Sequence, residues 1–236
     1  MNGQDYLLEA CCDSVERALE AVNTGADRIE FCSRLDLDGL TPSISDTEQL
    51  FASLPPGFPV HIMIRCRSGD FVYTAQEIDQ MLDQIRQFLS KFSCDSHLRG
   101  FVFGSLTTTV ASSTHSGSTQ SVSGEEIVSV NVEDLQKVLA LIKPSYSLTF
   151  HRAFDLVTNK KEELIRLAEL GVDRILTSGG LGKAVDHLAS LKELISVACN
   201  RLTVIVAGGV RSYNAEEILE VTKAKELHSS AVWRKR

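Results

Sequence analysis

The chain has 236 residues, 43% of them hydrophobic, which is enough for a sizeable core. With 24 Lys and Arg against 31 Asp and Glu, its net charge of −7 argues against nucleic acid or an anionic membrane as main partner. No apolar run is long enough to span a bilayer, no secretory signal opens the chain, and six cysteines without one read as free thiols in a reducing cytosol.

Apolar runs alternate with amphipathic stretches along nearly the whole chain. Leu7–Cys12 is the first expected strand. A helix follows near 14–24, with Asp13 as N-cap, Glu16 three residues on, Val15, Leu19 and Val22 on one face, and Gly25 as stop. The next strands are Arg28–Ser33, Val60–Arg67 and Leu98–Leu106, separated by helices near 43–54 and 74–92. From Thr107 to Gly124, 13 of 18 residues are Ser, Thr or Gly, so a flexible insertion is expected at about 107–130. Helices near 132–143, 159–170, 184–199 and 214–223 then alternate with strands Leu148–Phe154, Arg174–Ser178, Leu202–Ala207 and Glu226–Ser230.

Eight strands separated by seven helices predict parallel pairing, and the count fits a closed (β/α)8 barrel of TIM type better than an open sheet. Residues 1–236 then form one α/β domain. A short echo, "GADRI" at 25–29 and "GVDRI" at 171–175, enters the second and sixth strands. The chain stops at "VWRKR" straight after the eighth strand, without the helix that would cover it.

In such a barrel, functional groups gather where strands end. Strand parity puts Glu9 with Cys11, and Glu30 with Cys32, on the face turned into the barrel, while Leu8, Ala10, Cys12, Ile29 and Phe31 meet the helices. Neighbouring strands lie about 4.8 Å apart, close to the roughly 4.6 Å that separates two thiolates sharing one ion. Cys11 and Cys32 can therefore hold a metal, Cu(I) being favoured by softness, or simply pack as small hydrophobes. Arg65 and Arg67 could clamp a carboxylate or phosphate, or neutralise Glu9 and Glu30 across the interior; the ion-pair reading comes first. His151 and Asp155, with Glu9 and Glu30, are candidate acid–base residues, although no reaction signature accompanies them. Gly208 and Gly209, after the seventh strand, offer backbone amides to an anion or merely make a tight turn.

The chain resembles the CutC copper homeostasis family. The resemblance is carried in order by "LLEACCDSVERALEAVNTGADRIEFCS", "DGLTPS", "VHIMIRCRSGDFVYT", "GFVFGSLT", "LTFHRAFD", "LAELGVDRILTSGG", "VAGGV" and "ELHSSA". It implies a (β/α)8 barrel, a cytoplasmic location with the nucleus as an alternative, a copper-handling role, and Cys11 and Cys32 as Cu(I) ligands. Three departures stand out. Arg65-Cys66-Arg67-Ser68-Gly69-Asp70 replaces Arg-Pro-Arg-Gly-Gly-Asp, the insertion replaces a short loop, and the family's further helical segment is absent. Its loss is expected to uncover apolar surface on the eighth and first strands, for a partner or homo-oligomer to fill. The alternative function is a barrel enzyme acting on a small anionic or phosphorylated metabolite.

Overall fold

A computed structural model describes residues 6–110, 126–231 and 233. Eight parallel strands close into a barrel: β1 (Leu7–Cys12), β2 (Arg28–Phe31), β3 (Val60–Met63), β4 (Leu98–Phe103), then β7 (Ser147–Phe150), β8 (Arg174–Thr177), β9 (Thr203–Val206) and β10 (Glu226–Ser229), which pairs back with β1. The helices between them are α1 (Val15–Asn23), α2 (Ile44–Ser53), α3 (Ala75–Phe92), α4 (Val132–Ile142), α5 (Lys160–Glu169), α6 (Leu188–Ala198) and α7 (Ala215–Thr222). The expected TIM-type barrel is thus the observed fold.

The main apolar core lies between the strands and the helices. Ala10, Cys12, Ile29, Phe31, Ile62, Phe101 and Phe150 point outward and pack against Ala18, Leu50, Ile85 and Leu164. The inward set is far more polar, with Glu9, Arg28, Glu30, His61 and Thr149 all buried. Two small apolar clusters complete the lumen: Cys11, Cys32, Met63 and Val102 on one side, Leu176, Ile205 and Ala207 on the other. The parity argument therefore holds for both early strands.

The echoed pentapeptides do the same job twice. Asp27 accepts a hydrogen bond from Leu8 N at 2.7 Å and Asp173 one from Leu148 N at 2.7 Å, while their own amides donate to Leu8 O and Leu148 O. Each aspartate thus ties the start of one strand to its neighbour, and the arginine after it, Arg28 or Arg174, enters the base of the lumen beside Glu226.

Several expected boundaries are corrected. Ser14, rather than Asp13, caps α1, its hydroxyl accepting from Arg17 N. β3 stops at Met63, because Arg65 turns its amide and carbonyl toward Thr41. β7 stops at Phe150, where His151 caps the 3-10 turn Arg152–Leu156. β4 ends at Phe103, and Leu106–Val110 becomes β5 of a separate antiparallel ladder with β6 (Glu126–Val130). The ends of the expected insertion are therefore ordered; its centre, 111–125, lies outside the described residues. β-branched threonine and valine suit such a ladder, which composition alone conceals. No helix follows β10 among the described residues, yet Leu8 and Leu227 are buried, with Tyr6 and Trp233 packed on their cluster. The apolar faces expected to be uncovered are covered.

Gly100 is required by close approach. A Cβ there would come within 2.5 Å of the Ser147 carbonyl on the paired strand. Gly100→Ala is expected to cost about 2–3 kcal/mol and lower the melting temperature by roughly 4–12 °C in a thermal scan. An unchanged midpoint would contradict this packing.

Candidate functional site

At the carboxyl ends of the strands a cavity of about 420 Å³ opens into the barrel mouth. On one wall, β1 and the end of β2 bring Cys11 Sγ and Cys32 Sγ to 3.9 Å from each other. The Cys11 thiol donates to Glu30 Oε1 at 3.2 Å, and the Cys32 thiol to the Cys12 carbonyl at 3.6 Å. His228, from β10, places Nε2 3.8 Å from Glu30 Oε1. One atom each from Cys11, Glu30 and His228 lie within 4.8 Å of one another, the spacing of a metal-ligand group. Glu30 Oε2 is buried with no hydrogen-bond partner among the described residues.

Beneath this group sits a charged layer. Glu9, fully buried, accepts from Arg28 Nε and pairs with His228 Nδ1 at 2.8 Å, while Arg28 Nη2 reaches Glu226 at 2.5 Å. Burial opposes ionisation of Glu9, but Arg28, His228 and His61 outweigh it and hold the carboxyl well below the usual carboxylate range. Burial likewise opposes charge on His228, yet Glu30 and Glu9 draw its pKa upward. Glu30 is raised by burial, with His228 partly opposing. Cys11 is raised by its contact with Cys32, by burial and by Glu30. Without a metal the Cys11 thiol therefore keeps its proton, and a cation bound there must displace it.

Burial pushes His61 and His151 down to about 3, so both rings are neutral in the folded chain. Unfolded histidines take up protons below about pH 6.5, so the unfolded chain binds more of them and stability falls as pH drops toward 3. Glu30, raised by burial, works in the opposite sense. Each of the two histidines contributes up to about 1.4 kcal/mol per pH unit, so a net loss of stability is expected as pH falls below 6.5. Denaturant midpoints measured from pH 6.5 down to 5 check this, and His61→Gln should flatten the slope.

The other expected site residues divide. His151, Asp155, Gly208 and Gly209 all line the cavity, as does Arg65. Arg67 does not. It pairs with Glu77 at 2.5 Å and Asp70 at 3.0 Å, and covers the Tyr73 ring. Nor do Arg65 and Arg67 neutralise Glu9 and Glu30. Arg65 Nη1 and Nη2 donate to carbonyls of Leu37, Asp38, Gly39 and Gly69, because the turn after β3 bends both arginines away from the lumen base. Asp155 is occupied structurally, accepting from Thr177 Oγ1, Ser178 N, Ser178 Oγ and Arg152 Nε. The groups that surround Glu9, namely Arg28, His228 and the neutral His61 ring, are turned inward by parity: each lies an even number of residues from an inward neighbour, Glu30, Met63 or Glu226.

The CutC family pattern matches residues 6–233. The chain belongs to the CutC family. A human relative, the copper homeostasis protein cutC homolog of Homo sapiens, is 38% identical over 227 residues, covering 96% of this chain and 73% of that protein. The Drosophila melanogaster homolog is 36% identical, covering 98% and 80%. The crystal structure of CutC from Streptococcus agalactiae superposes with a TM-score of 0.78 at 26% identity, covering 96% of this chain and 99% of that one. An aldolase with a TM-score of 0.59 and 14% identity shares the barrel alone. No helix among the described residues of this CutC chain is long and apolar enough to cross a membrane.

Proposed function

We propose that this chain takes part in copper homeostasis by holding Cu(I) as its cargo between Cys11 and Cys32. The observation that carries the reading is the 3.9 Å separation of the two sulfurs at the barrel mouth. Metal–thiolate bonds of about 2.3 Å across that gap subtend roughly 116°, a bent arrangement that leaves room for a third donor in the plane. His228 and Glu30 stand within reach of Cys11, the first a borderline ligand and the second a harder one. Two sulfurs, with an imidazole near one of them, suit Cu(I) better than a closed tetrahedral zinc site. All six cysteines are unpaired, which suits a reducing compartment such as the cytoplasm. The relatives named as copper homeostasis proteins support the same reading.

The test is a Cu(I) titration of the full chain under anaerobic, reducing conditions against a chromophoric chelator. One equivalent should be withdrawn from the chelator, with proton release that follows from the raised Cys11 thiol. A chain that takes up no copper in competition overturns the proposal.

A further inference from the structure

The cavity is much larger than the ion proposed for it. A water molecule takes about 30 Å³ and small-molecule pockets run from about 300 Å³ upward, so a space of about 420 Å³ belongs to the second class. The Cys11 thiol, Glu30 and His228 occupy one wall, with Cys32 buried behind Cys11. The opposite wall, built by β7, β9 and the loop after β3, has a different chemistry.

His151 defines that chemistry. Its Nδ1 accepts a hydrogen bond from Ala153 N at 3.2 Å as the cap of the Arg152–Leu156 turn. An accepting Nδ1 carries no proton, so the neutral ring bears its hydrogen on Nε2. That Nε2–H is buried, lacks a partner among the described residues, and belongs to a side chain lining the cavity. The low pKa of the ring agrees with the neutral form. Arg65, 3% exposed and lining the same space, repeats the pattern: its Nε–H has no hydrogen-bond partner among the described residues, while Nη1 donates to the carbonyls of Leu37, Asp38 and Gly39 and Nη2 to that of Gly69. The Phe71 ring lies between them, its centroid 4.7 Å from the Arg65 guanidinium carbon and 4.9 Å from the His151 ring. Buried donors without acceptors are costly, and two in one cavity wall call for an acceptor-rich occupant.

Two further guanidinium groups face the cavity, from Arg152 and Arg211. Arg152 is tied to Asp155 and Ser178, which neutralises that carboxylate. Among the described residues Arg211 donates to the neutral Val210 carbonyl and Ser229 hydroxyl and pairs with no carboxylate. Gly208 and Gly209, at φ of 91° and 70°, carry the backbone past this point without side chains. A Cβ at Gly208 would press on Ser178 Cβ at 2.8 Å. The wall is thus donor-rich and cationic; of the cavity's carboxylates, Glu30 lies on the thiol side, Asp38 is exposed at the rim and Asp155 is paired with Arg152.

We propose that this wall binds a small organic molecule bearing an oxyanion, a carboxylate or a phosphate ester, held by Arg65, His151 and Arg211, at a site separate from the cysteine pair. The reading does not depend on copper. Calorimetry on the copper-free full chain, with inorganic phosphate, glycerol 3-phosphate and succinate as probes, tests it and separates the two anion types. Saturable one-to-one binding of at least one probe at millimolar concentration is expected. Arg211→Met, which keeps the aliphatic stem, should weaken it roughly tenfold or more, as loss of a charge-assisted hydrogen bond does. The chain carrying Cys11→Ser and Cys32→Ser should bind the same probe unchanged. A second readout on the unaltered chain is the His151 Nε2–H proton resonance, which should move downfield on saturation. Absence of binding by all three probes, retention of full affinity in Arg211→Met, loss of affinity in the cysteine variant, or an unmoved His151 signal would each overturn the proposal.

Discussion

Cys11→Ser combined with Cys32→Ser is expected to abolish stoichiometric Cu(I) binding. Serine is nearly isosteric with cysteine, so the 3.9 Å gap persists while its polarizable donors become hydroxyls. Soft Cu(I) gains little from hydroxyl, carboxylate and imidazole alone. The single variants should be informative by their difference. Cys32→Ser leaves Cys11, Glu30 and His228 within mutual reach, a mixed set closer to the ligand preferences of zinc. It should lose Cu(I) affinity by more than about 100-fold, beyond the effect typical of outer-shell partners, while keeping measurable Zn(II) binding. Cys11→Ser removes the sulfur that lies closest to Glu30 and should bind neither ion well. Competition titrations with both metals decide the matter, and a double variant that still withholds one equivalent of Cu(I) from the chelator means the ligands lie elsewhere.

Arg28→Met should be the most damaging single change to stability. Arg28 is 3% exposed and bridges Glu9 to Glu226 at the base of the lumen. Without it the buried Glu9 carboxylate keeps, among the described residues, His228 at 2.8 Å and the neutral His61 ring at 3.8 Å. Breaking one side of a buried pair typically costs about 3–5 kcal/mol, or roughly 6–20 °C in melting temperature for a chain this long. Adding Glu9→Gln should restore part of the loss, because a pair removed together leaves no stranded charge. The pH dependence must change as well. Glu9 now contributes stability above its unfolded pKa, lost as pH falls through the depressed folded value; in Arg28→Met that loss should begin at higher pH. A single variant within about 1 kcal/mol of the parent would show that water, not Arg28, solvates Glu9.

Period-two apolar runs spaced by amphipathic stretches made the barrel legible, and inward parity at Glu9, Cys11, Glu30 and Cys32 made its thiol wall legible. The partners of Glu9 were not, although the same parity turns Arg28, His61 and His228 inward. They belong to β2, β3 and β10, between 19 and 219 residues away in the chain, and which strands neighbour β1 emerges only on closure. Arg65 and Arg67 misled for a local reason: alternation ends at Met63, where the chain leaves the sheet, so their shared parity carried no shared direction. The tautomer of His151 depends on a hydrogen bond from the amide two residues on, and nothing in a lone histidine announces it.

The β5–β6 ladder has a use beyond architecture. Val110 and Glu126 stand directly opposite each other, and the paired arms are fastened to the barrel through Leu106 N to Phe71 O, Val130 N to Glu163 and Thr158 N to Val128 O. The barrel therefore sees a fixed pair of posts whatever length of chain runs between them. Doubling that length costs only about 0.6 kcal/mol of closure entropy. A fluorescent reporter or affinity handle grafted between positions 110 and 126 should leave copper uptake and unfolding nearly as they were, which makes this hairpin the natural place to tether the protein for single-molecule work.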